Sequence, residues 1–141
     1  MSTIYSTRVT AIGGRAGRVS SEDGLLELQL ALPKALGGNG GATNPEQLFA
    51  AGYSACFENA LIHVARSKKA RLKDEDVVVV AEVGMGPNGQ GGFALSVALD
   101  VTIVGIDQAQ AEELVQAAHA VCPYSNAVKG NIDVAIKVST R

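Results

Sequence analysis

Asn44-Pro45-Glu46-Gln47-Leu48-Phe49-Ala50-Ala51-Gly52-Tyr53-Ser54-Ala55-Cys56-Phe57, continuing through Glu58 to Arg66, decides the fold of this 141-residue chain. Asn44 offers a capping oxygen, and Pro45 suits the first helical position, where no N–H is needed. Gln47, three residues beyond the cap, stands at the capping-box position. From there Leu48, Phe49, Ala51, Ala55, Cys56, Ala60, Leu61 and Val64 spread apolar and small side chains around much of the helix, to about Arg66. A helix that is apolar on several sides must be covered on several sides, so it is predicted to be the central element.

Before this helix the pattern is β structure. Ile4 to Ala11 alternates loosely, and Gly24 to Leu32 places Leu26, Leu28, Leu30 and Leu32 at period two. Gly13 and Gly14 mark a turn between them that presents Arg15 and Arg18. Pro33 to Thr43, with Gly37, Gly38, Gly40 and Gly41, reads as a loop or strap too flexible to be an ordered element. It lacks the Lys-Ser/Thr ending of a phosphate-binding loop and the fingerprint of a dinucleotide fold.

Beyond the helix, Val77 to Met85 and Phe93 to Ile103 read as a hairpin with a tight turn at Asn88-Gly89. Asp107 caps a second helix to about Val121, with Gln110 at the capping-box position and Leu114, Val115, Ala118 and Val121 as its apolar stripe. Pro123 ends that helix or starts a new turn, which leaves Cys122 at a helix boundary. Ile132, Val134, Ile136 and Val138 alternate as a last strand. The expected architecture is therefore α+β, with antiparallel sheets around central helices in a single domain spanning 1–141.

Composition excludes some functions. With a net charge of -2 and a pI near 5.6, the chain has no basic field to draw it to nucleic acid or an anionic membrane. The run Arg66, Lys68, Lys69, Arg71 and Lys73 follows a predicted helix, where cations oppose the negative end of the dipole. No apolar stretch is long enough to cross a bilayer, and MSTIYSTRVT lacks the apolar core of a secretion signal, so a cytoplasmic protein is expected.

The cysteines are Cys56 and Cys122, with no C-x-x-C pair. In a reducing compartment such residues are either buried apolar side chains or a redox pair, and composition alone favours burial. Their polar surroundings favour the redox reading: Asn44-Pro45-Glu46-Gln47 precedes Cys56, and Pro123-Tyr124-Ser125-Asn126 follows Cys122. A zinc site using His63 and His119 would have to be assembled from distant residues. A cysteine hydrolase using one of these histidines as base would need no sequence neighbour, but the chain carries no local nucleophile motif.

Thr43 to Phe57 and Val121-Cys122-Pro123-Tyr124-Ser125-Asn126-Ala127 resemble the two signature stretches of the organic hydroperoxide resistance proteins, a branch of the osmotically inducible superfamily. Gly13-Gly14-Arg15-Ala16-Gly17-Arg18 resembles that family's arginine-bearing turn, and the similarity covers nearly the whole chain. Glu58 departs from the pattern, where an apolar or small residue is expected. The resemblance implies an intertwined homodimer and a thiol peroxidase acting on organic hydroperoxides. In it Cys56 is the attacking thiolate, Cys122 its resolving partner, Arg15 the cation that stabilises the thiolate, and Glu46 the carboxylate that orients Arg15. Phe49, Tyr53 and Tyr124 would line the substrate pocket, Tyr124 having packing beside the disulfide as its other reading. No bound cofactor is implied; dihydrolipoamide or a lipoylated protein would serve as reductant. The alternative is a redox-sensing or small-ligand-binding protein of the wider superfamily. Glu46 and Cys56, ten residues apart on one helix, are separated by about 15 Å along the axis. A glutamate cannot span that gap, which leads to the expectation that Glu46 serves the Cys56 of a second subunit.

Overall fold

The capped helix forms as the sequence predicts. Asn44 Oδ1 accepts a hydrogen bond from the Gln47 amide at 2.9 Å, and α1 runs Pro45–Ser67 in a computed structural model that describes Met1–Arg141. Beyond its end, Lys69 adopts a left-handed φ of 58° and the Ala70 amide reaches back to the Ala65 carbonyl at 2.8 Å. This wrap satisfies a carbonyl that the helix end would otherwise leave unpaired. The chain divides into two compact units, Met1–Leu48 and Phe49–Arg141.

In the first unit β1 (Val9–Ile12), β2 (Arg18–Ser21) and β3 (Glu27–Gln29) form an antiparallel sheet in that order. The β1–β2 connection is a 3₁₀ turn over Gly14–Ala16. It closes so tightly that a Cβ on Gly17 would stand 1.8 Å from the Ile12 carbonyl oxygen, and this is what presents Arg15 at the turn. The first strand is shorter than the alternation of Ile4 to Ala11 suggested. The Gly24 to Leu32 run contracts to three paired residues, with Leu30 forming an isolated bridge to Thr43. The glycine-rich segment is more ordered than its composition suggested. Pro33 is pre-set for a 3₁₀ turn over Lys34–Leu36, and its carbonyl accepts from the Leu36 and Gly38 amides, both at 3.0 Å.

The second unit contains the hairpin β4 (Val77–Pro87) and β5 (Phe93–Ile103), registered from Val77 opposite Ile103 to Pro87 opposite Phe93. Its connection is wider than a two-residue turn: Asn88 Oδ1 accepts from the Gln90 and Gly92 amides at 2.8 and 3.0 Å. α2 (Gln108–Val121) begins at Asp107, whose side chain accepts from the Gln110 amide, and α3 (Pro123–Val128) follows. The last strand, β6 (Ala135–Thr140), starts later than Ile132 and runs parallel to β5, so this second sheet is mixed, with the β4–β5 pair antiparallel as expected. The reason is topological. The two helices form a crossover that returns the chain before β6 begins, and such a connection delivers a parallel strand.

The core follows the pleat. Val97, Leu99, Val101 and Ile103 of β5 are buried together with Phe57, Leu61 and Val64 of α1 and Leu114, Val115 and Ala118 of α2. Each such side chain contributes about 1.5–3 kcal/mol by leaving water. The sheet and the two long helices thereby fix the face of α1 that carries Tyr53.

Candidate active site

In the second unit, helical spacing places Phe49, Tyr53 and Phe57 in successive turns of α1, with Cys56 three residues beyond Tyr53. Tyr53 and Phe57 are fully buried and Cys56 is half-buried. Tyr124, delivered by α3, completes an aromatic cluster: its ring centroid lies 6.1 Å from Phe49 and 5.6 Å from Tyr53. Gly52 makes room for it, because a Cβ there would come within 2.3 Å of the Tyr124 hydroxyl oxygen.

Cys122 ends α2 and opens α3, in an extended conformation with φ -66° and ψ 124°. Pro123 forces this geometry, since the residue before a proline is driven out of the helical region. The Cys122 thiol is fully buried and lies within hydrogen-bonding reach of the Cys56 thiol. Burial pushes the Cys56 pKa up, and the charge and hydrogen bond of Cys122 push the same way, while the Tyr124 backbone amide opposes them. These groups taken together do not favour a Cys56 thiolate. A nucleophilic thiolate there needs a cation in addition.

The first unit holds a guanidinium in a fixed geometry. Arg15 Nη1 and Nη2 donate to Glu46 Oε2 and Oε1 at 2.8 and 2.6 Å, a two-pronged pair. The hydrogen bond to Glu46 holds the Arg15 guanidinium above its usual pKa, and the same bond holds the Glu46 carboxyl below the usual carboxylate range. Arg18, the other arginine of the turn, begins β2. All seven predicted site residues thus fall into two clusters, Arg15 with Glu46 and Cys56 with Cys122, Phe49, Tyr53 and Tyr124. Glu58, the departure from the family pattern, is half-buried. No three His, Cys, Asp or Glu side chains come together as a metal-binding group, and no helix is long and apolar enough to cross a membrane.

Two residues named in the sequence reading, Ser125 and His119, were not placed together in the candidate site. Ser125, buried, stands between the Tyr53 hydroxyl at 2.7 Å and His119 Nδ1 at 2.8 Å. The available signals were the spacing His119, Cys122, Ser125 in steps of three and the need of a buried tyrosine hydroxyl for a partner.

The model of the OsmC-like protein family matches residues 38–137. The organic hydroperoxide resistance protein of Xanthomonas axonopodis pv. citri is 48% identical over 137 residues, covering 96% of this chain and 95% of that protein. The chain belongs to the organic hydroperoxide resistance proteins of the OsmC-like family. Its fold is also that of solved family members. The organic hydroperoxide resistance protein from Elizabethkingia anophelis superposes with a TM-score of 0.94 at 48% identity, covering 100% of both chains. A putative organic hydroperoxide resistance protein from Vibrio cholerae reaches a TM-score of 0.92 at 63% identity, covering 99% of this chain and 94% of the other.

Proposed function

We propose that this protein is a thiol peroxidase that reduces organic hydroperoxides to alcohols. The observation that carries the reading is the half-buried Cys56 thiol within hydrogen-bonding reach of a buried second thiol, beside an aromatic cluster, in a chain whose relatives are named for organic hydroperoxide resistance. The aromatic rings suit an organic substituent on the peroxide, and the second thiol suits capture of an oxidised sulfur.

In this reading the Cys56 thiolate attacks the terminal peroxide oxygen, the O–O bond breaks, and the departing alkoxide takes a proton to become an alcohol. Cys56 is left as a sulfenic acid. Cys122 then attacks its sulfur, the hydroxyl leaves as water with the Cys122 proton, and a Cys56–Cys122 disulfide forms. An external dithiol, for which we propose dihydrolipoamide or a lipoylated protein in the cytoplasm, takes over the disulfide and restores both thiols. No bound cofactor takes part in this scheme.

Arg15 supplies the positive charge that Cys56 lacks within its own unit, and Glu46 holds the guanidinium in place. We propose further that the protein works as a homodimer and that Glu46 serves the Cys56 of the partner subunit. Ten residues of continuous helix are too long for a glutamate to span, and Ile12, Leu26 and Leu28 leave the first unit with exposed apolar side chains for a second copy to cover. Since Arg15 pairs with the Glu46 of its own chain, it would reach the partner's thiol together with it.

The test is consumption of cumene or tert-butyl hydroperoxide with dihydrolipoamide as reductant. Wild type should turn over and Cys56→Ser should not. Oxidation of both thiols without sustained turnover would instead favour a redox sensor or small-ligand-binding protein, and full turnover by Cys56→Ser would reject the assignment.

A further inference from the structure

Three polar groups that the proposed cycle leaves unused form a continuous chain through the second unit: the Tyr53 hydroxyl, Ser125 Oγ and His119 Nδ1, linked at 2.7 and 2.8 Å. Tyr53 is fully buried and Ser125 nearly so. His119 is only half-buried and lines a surface cleft of ≈ 500 Å³, together with the charged Lys129 and Asp133 and the polar Gln116 and Asn126. The Phe57 ring lies 6.4 Å from its imidazole centroid. The chain therefore runs from solvent at one end to a phenol among buried aromatic rings at the other.

The inner end lies near enough to the thiols for their charges to act on the phenol. Tyr53 is three residues before Cys56 on α1, and Ser125 is three residues after Cys122. Burial holds the Tyr53 phenol above its usual pKa against the lowering effect of its hydrogen bond with Ser125, and the charges of the Cys122 and Cys56 sulfurs act the same way as burial, so it keeps its proton. A proton count links the two ends of the chain. If His119 Nδ1 is bare, Ser125 donates to it and Tyr53 donates to Ser125, which uses the tyrosine proton. If Nδ1 carries a proton, it donates to Ser125, whose own buried hydroxyl then has the Tyr53 oxygen as its partner. The Tyr53 proton is then free to turn elsewhere. The placement of one proton on an imidazole at the surface thus sets the direction of a buried hydroxyl.

We propose that Tyr53 donates a hydrogen bond and then a proton to the Cys122 sulfur as the Cys56–Cys122 disulfide is reopened, with Ser125 and His119 as positioning residues acting through it. This inference rests on the disulfide cycle proposed above. A dithiol thiolate attacks the more accessible Cys56 sulfur, the S–S bond breaks, and its electron pair leaves with Cys122. A charged sulfur at a fully buried site needs a donor, and the rate of exchange depends on how well the leaving thiolate is stabilised. Tyr53 passes its proton to the sulfur, Ser125 passes one to Tyr53, and His119 Nδ1 passes one to Ser125 while its other nitrogen takes a proton from water in the cleft. The second thiol of the reductant then displaces Cys56 and closes as a cyclic disulfide, so two thiols are regenerated and one dithiol is oxidised.

The experiment separates the two halves of the cycle. Wild type, Tyr53→Phe, Ser125→Ala and the double variant are oxidised stoichiometrically with diamide, which closes the disulfide without a peroxide, and their reduction by dihydrolipoamide is followed by stopped flow. The first oxidation of each reduced protein by cumene hydroperoxide is timed separately. Loss of one hydrogen bond to a charged group predicts reduction slowed about 10- to 100-fold in each single variant. In Ser125→Ala the first oxidation should stay within about twofold, and the double variant should be reduced no more slowly than Tyr53→Phe, because residues acting through one group are not additive. Unchanged reduction, additive losses, or equal slowing of both half-reactions in Ser125→Ala would overturn the relay. A wild type that forms the disulfide with diamide but ignores the hydroperoxide would sink the peroxidase reading alone, with the relay still judged by the reduction rates.

Discussion

Replacing Gly52 by alanine tests whether Tyr124 forms a wall of the site. The added Cβ would lie 2.3 Å from the Tyr124 hydroxyl oxygen, 2.8 Å from Cζ and 3.2 Å from Cε2. Ordinary contact begins near 3.5 Å, so the tip of the ring must retreat by about 1.2 Å. The ring has limited freedom to do so, with Phe49 and Tyr53 stacked against it at 6.1 and 5.6 Å. Two energies then oppose each other. Alanine is favoured over glycine within a helix by about 1 kcal/mol. Forcing an extra methyl into a packed region costs about 1–3 kcal/mol. The expected net result is a destabilisation between zero and about 2 kcal/mol, which a thermal melt reads at about 2–4 °C per kcal/mol for a chain of this size. The larger effect should be on selectivity. Moving one wall of an apolar pocket by about a methyl radius changes discrimination between substrates by about 10-fold or more. The assay is the ratio of kcat/KM for cumene hydroperoxide to that for tert-butyl hydroperoxide in wild type and Gly52→Ala. A variant stabilised by the full helix-propensity gain, with an unchanged ratio, would show that Tyr124 neither packs on Gly52 nor bounds the substrate.

Four further outcomes are expected. Arg15→Ala should slow peroxide attack about 10²- to 10³-fold, as loss of one positioned donor does, while Arg18→Ala changes it little; equal, small losses would remove the distinction. Cys122→Ser should still react once with hydroperoxide, leaving a sulfenic acid that dimedone traps, and should lose recycling by dihydrolipoamide. Because Arg15 holds the Glu46 carboxyl below its ordinary range, the stability Glu46 contributes is complete above the unfolded carboxyl pKa and is lost as pH falls through the folded value. Melts of wild type and Glu46→Gln should therefore differ at neutral pH and converge in acid. Finally, mixed dimers of Cys56→Ser and Glu46→Ala subunits should be active, since the surviving Cys56 would face an intact Glu46 of its partner; inactive mixed dimers would place that glutamate in the same subunit.

The long helices and the β4–β5 hairpin could be read directly from the sequence because their signals are local. Asn44 and Asp107 cap their helices by side-chain bonds to residues three positions on, and the β4–β5 pattern reflects a sheet with one buried face. The parallel direction of β6 was hidden because it depends on how α2 and α3 carry the chain across the sheet, which no periodicity within β6 records. The order in the glycine-rich segment was missed for another reason. Its glycines serve tight approach, with a Cβ on Gly38 meeting the Leu32 carbonyl oxygen at 2.0 Å, and composition does not distinguish that use from slackness. Of the site, the resemblance supplied Arg15, Glu46 and the two cysteines. Ser125 and His119 emerged only when the two segments carrying Tyr53 and Ser125, 72 residues apart, were brought together.

The backbone at Cys122 bears on how the protein would withstand repeated turns of the proposed cycle. A sulfur in mid-helix that is pulled toward a partner must drag its turn along or break the hydrogen-bond ladder. Cys122 sits at the extended corner between α2 and α3, its amide closing the last turn of one helix on the Ala118 carbonyl at 2.9 Å and its carbonyl opening the next by accepting from the Asn126 amide at 3.0 Å. A displacement of its sulfur can be absorbed there as torsion about a single residue, with the hydrogen bonds of both helices intact. In the proposed cycle Cys122 would thus be carried on a hinge pin and Cys56 in the shaft of α1, so that each opening and closing of the bond would turn the chain at the one corner that Pro123 sets and leave both helices whole.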